Sequence, residues 1–117
     1  MKKIIILVVL FTSTLAFSQD KNAKATFKVD GVCLMCKERI EKACIKTKGV
    51  KSAVWNVKSH DLNLIFDGRK TDVETIKNSI AGVGHDMEDV KATDQVYNSL
   101  HSCCKYRDEA VVDDHKE

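Results

Sequence analysis

Ala25, Phe27 and Val29 alternate with Thr26 and Lys28, the period-two pattern of a strand with one buried face. Asp30-Gly31 ends that run, and a loop carrying Cys33-Leu34-Met35-Cys36 follows. From Cys36 to Lys48 the period lengthens. Ile40, Ala43, Cys44 and Thr47 share one helical stripe, Lys37, Glu38, Glu41, Lys42 and Lys48 fall mostly elsewhere, and Gly49 supplies a stop. Two more alternating runs, Ala53, Trp55, Val57 and then Leu62, Leu64, Phe66, flank Lys58-Ser59-His60-Asp61 and read as a hairpin with one apolar face. Thr71-Asp72-Val73-Glu74 has the form of a capping box with Thr71 as the cap, opening a helix that buries Val73, Ile76 and Ile80 and stops at Gly82 and Gly84. A short strand over residues 87–92 completes the order βαββαβ. That order predicts an α+β, ferredoxin-like split βαβ fold, an antiparallel sheet with two helices on one face.

The ends of the chain follow different rules. Met1-Lys2-Lys3 precedes the apolar run Ile4 to Phe11, which is too short to cross a hydrocarbon layer of about 30 Å, and Ala16-Phe17-Ser18 offers small residues for cleavage. Residues 1–18 therefore read as a signal peptide, with the alternative of an uncleaved anchor. Gln19 would begin an exported mature chain, periplasmic where the source has an outer membrane and without a membrane anchor after processing. At the other end, residues 93–117 form an extension beyond the βαββαβ unit of residues 24–92. Thr93 to Leu100 can make one or two helical turns, His101-Ser102-Cys103-Cys104 follows, and the charged stretch from Asp108 reads as a mobile tail.

The 117-residue chain carries 19 basic and 17 acidic side chains, and loss of Lys2 and Lys3 leaves the mature protein balanced at 17 of each. A neutral chain with scattered charges offers no footprint for nucleic acid and no polybasic stretch for an anionic membrane. The five cysteines change the picture more. In an oxidising compartment thiols tend to pair, and an odd number cannot all pair within one molecule. At least one is free, metal-bound or shared between chains.

Cys33 and Cys36 carry the candidate chemistry. With the first in a loop and the second in the first turn of a helix, both sulfurs can point at one spot, and the uncapped amides there are expected to lower the thiol pKa. Paired thiolates are soft ligands suited to copper(I), zinc, mercury or cadmium. The stretch Val29-Asp30-Gly31-Val32-Cys33-Leu34-Met35-Cys36-Lys37-Glu38-Arg39-Ile40-Glu41-Lys42-Ala43 resembles the heavy-metal-associated domain family, which includes copper chaperones, metal-pump N-terminal domains and exported mercury-binding proteins. Gly49-Val50 and the Gly82-Val83-Gly84-His85-Asp86 loop fit it too, and the resemblance covers about residues 24–92. Family members usually read Gly-Met-x-Cys-x-x-Cys, whereas Gly31-Val32-Cys33 is one residue shorter and lacks that Met. The resemblance implies metal held by Cys33 and Cys36 and passed to a partner by ligand exchange, the partner being a metal-transporting membrane protein or another metallochaperone. It also implies that His85 faces the metal loop, as a third ligand or as a hydrogen-bond donor to the thiolates.

The remaining cysteines divide. Cys44 lies eight residues after Cys36, about 12 Å along a helix, so it cannot reach the same ion and reads as a core cysteine. Cys103 and Cys104 are unlikely partners for each other, because adjacent α-carbons about 3.8 Å apart strain a disulfide. If the extension folds back, His101, Cys103 or Cys104 can complete a three- or four-ligand site; otherwise they bind a second ion or join chains. His60 and His115 read as solvated, and Trp55 as core. The metal-site candidates are thus Cys33, Cys36, His85, Cys103 and Cys104, with copper(I) leading because it accepts two sulfurs, and zinc gaining if the extension converges. Competing readings are a periplasmic thiol-disulfide redox protein, against which stands the absence of any proline, and a structural domain with Cys33 and Cys36 bridged. No Ser/His/Asp grouping, phosphate-cradling glycine loop or paired carboxylates suggest hydrolysis or phosphoryl transfer, and the chain is expected not to be an enzyme.

Overall fold

The computed structural model describes residues 20–115; the expected leader at residues 1–18 lies outside them. The alternating runs form three strands, β1 (Ala23–Lys28), β2 (Val50–Trp55) and β3 (Asp61–Phe66), paired antiparallel in the order β1-β3-β2. Register follows the apolar pattern. Ala25 opposes Leu64, Phe27 opposes Leu62, and Trp55 opposes Leu62 from the other side, with a bulge between Val50 and Ser52. Helix α1 (Leu34–Lys46) lies against β2 and buries Cys36, Ile40, Ala43 and Cys44. Helix α2 (Val73–Ala81) packs beside α1 and buries Ile76, Ile80 and Ala81. One apolar cluster joins these stripes to Leu62, Leu64, Phe66 and Trp55, so both helices cover the same face of the sheet. The fold is α+β and ferredoxin-like.

Two local expectations are corrected. Asp72, not Thr71, caps α2: its Oδ1 accepts from the Thr75 amide at 2.8 Å, while the Thr71 hydroxyl is buried without a partner. A carboxylate one residue later does the same work and adds negative charge at the positive helix end. The strand expected over residues 87–92 does not form; no fourth strand is present among the described residues. Asp30 N still donates to Asp86 O at 2.8 Å, one bond beside β1, but Met87 N then turns to Val90 O at 2.7 Å and Ala92 N bonds the Asp86 carboxylate at 2.8 Å. The chain closes on the Asp86 side chain instead of running along β1.

The extension carries three short helical elements among the described residues. Thr93 caps the short helix α3 (Asp94–Asn98), a 3-10 turn at Ser102–Cys104 follows, and Asp108 caps α4 (Glu109–Asp114). Val111 and Val112 pack against the core, so the expectation of a mobile tail from Asp108 is corrected for these residues. Arg107 fastens the extension. Its Nε and Nη2 donate to the two Asp86 carboxylate oxygens at 2.8 Å each, Nη2 also reaches Ala92 O at 2.9 Å, and the guanidinium lies over the Tyr97 ring. Burial by itself would raise the Asp86 carboxyl, yet Arg107 and the Ala92 amide hold it below the usual carboxylate range. Gly84 admits the extension as well: it has φ +108°, and a Cβ there would meet Leu100 Cδ2 at 2.8 Å. Among the described residues no helix is long and apolar enough to cross a membrane.

Replacing Arg107 by Met leaves the Asp86 carboxylate, only 8% exposed, without its cation. Urea denaturation is expected to show a loss of about 3 to 5 kcal/mol, and Asp86→Asn added to Arg107→Met is expected to recover part of it, because a neutral amide tolerates the site that an unpaired charge does not.

Candidate metal centre

The loop between β1 and α1 is held before its cysteines begin. Trp55 Nε1 donates to Val29 O at 3.0 Å, and a Cβ on Gly31 would meet the Trp55 ring at 3.0 Å and Cys36 Cβ at 3.1 Å. A larger residue here would force the indole or Cys36 to give by a few tenths of an ångström. The start of α1 is tied to the end of β2 as well: Glu41 Oε2 accepts from Trp55 N at 2.8 Å, and Lys37 Nζ donates to Trp55 O at 2.9 Å. Helix α1 begins at Leu34, two residues before the expected start at Cys36, so Cys33 occupies the N-cap position, and its side chain makes no capping bond.

Four thiols meet at this helix start. Cys33 Sγ is 3.5 Å from Cys36 Sγ and 3.5 Å from Cys104 Sγ, and Cys104 Sγ is 3.7 Å from Cys103 Sγ. The sulfurs of Cys33, Cys103 and Cys104 all lie within 4.8 Å of one another, and all four cysteines are unpaired thiols. The extension has folded back onto the first loop. Met35, between the paired cysteines, brings a fifth sulfur: Cys103 Sγ sits 3.5 Å from its Sδ. Cys36 and Cys104 are buried, whereas Cys33 and Cys103 are partly exposed, so the cluster opens to solvent on one side. Sulfurs bound to one ion at about 2.3 Å in a tetrahedron stand about 3.8 Å apart, so the observed spacings need little change to admit a soft ion. Every donor here is soft, which disfavours magnesium or calcium.

The electrostatics differ from expectation. Burial pushes the Cys36 thiol up to about 12, despite amides of Val32 and Cys33 that favour its thiolate. The helix start therefore does not ready both cysteines. Cys104 is the thiol held below its ordinary value: burial opposes this, but hydrogen bonds from Arg39, Cys33, Cys36 and Cys103 outweigh it. The Arg39 guanidinium and the neighbouring S–H groups thus favour a thiolate at Cys104.

His85 stands behind Arg39. Its Nδ1 lies 2.8 Å from Asp30 O, a group that only accepts, so Nδ1 carries the proton and Nε2 accepts from Arg39 Nη1 at 3.3 Å. Both ring nitrogens are engaged. The ring stacks on Tyr106, centroids 5.3 Å apart, and Tyr106 donates to Gly84 O at 2.5 Å. His101 and His115 are exposed, His60 stacks on Trp55 at 5.5 Å, and Cys44 is buried in the core, where burial pushes its thiol up to about 12. Arg39, Met35 and Tyr106 went unremarked in the sequence. Met35 had a signal, a thioether between two cysteines; Arg39 looked like any charge on a helix surface.

The chain matches the heavy-metal-associated domain over residues 26–86. It belongs to that family. Among solved structures it is similar to a "CopZ metallochaperone", with 29% identity and a TM-score of 0.54 over 56% of this chain and 98% of that one. It is also similar to the N-terminal domain of a potential copper-translocating P-type ATPase from Bacillus subtilis in the Cu(I)-loaded state, at 25% identity and TM-score 0.55, covering 64% of this chain and 95% of that one. A copper-binding domain from HMA7, a P-type ATPase, matches at 27% identity and TM-score 0.54, covering 56% and 89%. No curated protein matches the chain. The heavy-metal-associated domain is a binding module and not an enzyme. Cys33, Cys36 and His85 fall within the matched residues, while Cys103 and Cys104 lie beyond them.

His85 also sets a pH dependence. Burial holds it down to about 4, from an ordinary 6.5, so between these values the unfolded chain takes up a proton that the folded chain refuses. Stability is complete above pH 6.5 and is expected to fall by an amount on the order of 3 kcal/mol as pH drops toward 4. Urea midpoints across that window measure it, and His85→Gln is expected to flatten the slope.

Proposed function

We propose that this heavy-metal-associated domain is exported and carries copper(I), bound between the thiolates of Cys33 and Cys36 and a third from Cys104. The observation that carries the reading is the placement of Cys33 Sγ at 3.5 Å from both other sulfurs. Copper(I) accepts two or three thiolates, so this group satisfies it without further donors. The similar proteins include a metallochaperone, the N-terminal domain of a potential copper-translocating P-type ATPase and a copper-binding domain of another P-type ATPase, which supports delivery to a metal-transporting membrane protein or another metallochaperone as the task. Export rests on the leader pattern of residues 1–18. In this reading His85 orients Arg39, and Arg39 offsets the thiolate charge at Cys104.

A second reading has one specific support. Cys103, 3.7 Å from Cys104, makes a fourth thiol available, and four thiolates suit zinc. Mercury and cadmium are served by the same donors. A thiol-disulfide role is less well supported, because the chain contains no proline to lie in cis beside the cysteines and the family it matches is a binding module.

Competition against a chromophoric copper(I) chelator, in reducing and oxygen-free buffer, tests the assignment. Cys33→Ser combined with Cys36→Ser is expected to abolish tight binding. Cys104→Ser is expected to weaken it by about tenfold or more, equivalent to about 1.4 kcal/mol. Unchanged affinity after loss of Cys33 would remove the proposed site, and tighter retention of zinc than of copper(I) would favour the second reading.

A further inference from the structure

Five sulfurs lie at the start of α1, one more than a tetrahedral ion takes. They form a string, Cys36, Cys33, Cys104, Cys103 and Met35, with successive separations of 3.5, 3.5, 3.7 and 3.5 Å. Cys33, Cys103 and Cys104 alone form the group within 4.8 Å of one another; Cys36 extends it at the inner end and Met35 at the outer. A single ion bound at about 2.3 Å spans neighbours about 3.8 to 4.6 Å apart and cannot touch five donors in a row. The inner end is buried, at Cys36 and Cys104, while the outer end is half-open, with Met35 45% exposed. Thiolates also bridge soft ions readily, which suits Cys104, the middle sulfur of the string.

We infer that the string holds two copper(I) ions side by side, the inner one on Cys36, Cys33 and Cys104 and the outer one on Cys104, Cys103 and the Met35 thioether. The inference rests on the copper(I) reading above and adds a second site to it. The ligation balances simply. Four thiols release four protons to solvent, four thiolates and two monovalent cations carry a net charge of −2, and no oxidation state changes. Arg39, next to Cys104, offsets part of that charge where the two ions share a sulfur. The arrangement gives the ions different exits: the outer one meets solvent and a docking partner first, beside Leu34, which is 71% exposed, while the inner one lies under it.

The test is an anaerobic titration of the mature full chain with copper(I) supplied as its acetonitrile complex, read by native mass spectrometry and by copper X-ray absorption. The wild-type monomer is expected to take up two ions and to show copper-to-copper scattering. Cys103→Ser combined with Met35→Leu is expected to stop at one ion and lose that scattering. Both positions are partly exposed, and circular dichroism checks that the fold is kept; each single change is expected to weaken the second binding step and spare the first. Uptake of one ion by the wild type overturns the inference and leaves the single-site reading standing. Two ions in the double variant, or a second ion found only in a dimer, also overturns it. Uptake of none removes both readings together.

Discussion

The charge pair between Asp86 and Arg107 decides what kind of site this chain possesses. Without it, the fold offers a two-thiol helix start like that of a domain ending near residue 86, where the family match ends. With it, a nearly buried carboxylate draws in the guanidinium, and the residues just before Arg107 are carried over the first loop. Tyr106 is laid on His85, Cys104 arrives beside Cys33, and Cys103 reaches Met35. A buried carboxylate with a bidentate cation admits little freedom of direction, so the position of the last two cysteines is inherited from a contact that involves no sulfur.

Much of the fold was legible because its signals are local. The alternation through Ala25, Phe27 and Val29 and through Leu62, Leu64 and Phe66 fixes which face of each strand is buried, and the stripe at Ile40, Ala43 and Cys44 does the same for α1. Where two local solutions compete, the sequence is ambiguous: Thr71 and Asp72 both precede α2, and only the direction of approach selects the carboxylate. The missing last strand has a different origin. Residues 87–92 were expected as a strand because they complete the βαββαβ order, but Glu88, Asp89, Lys91 and Ala92 are poor strand formers, and the Asp86 side chain takes the Ala92 amide for itself.

The site divides along the same line. Cys33 and Cys36 announce themselves by spacing and by their place between a strand and a helix. The arrival of Cys104 depends on pairs 21 and 71 residues apart along the chain, Asp86 with Arg107 and Cys33 with Cys104, and no periodicity encodes that. The electrostatic reading from the helix dipole went astray for a related reason: at Cys36 the loss of water outweighs the amides, and the favoured thiolate sits instead on the residue contributed by the extension, next to Arg39.

The position of Cys33 at the head of α1 has a further consequence. That place usually belongs to an oxygen side chain that accepts from the first free amides, and here it holds a thiol that makes no such bond, with no acid in the first turn to compensate. An anionic sulfur bound to cargo would supply the missing negative end of the helix, and an empty carrier would lose it. On the proposed copper(I) reading, the first turn of α1 would therefore be firmer with metal on Cys33 than without it.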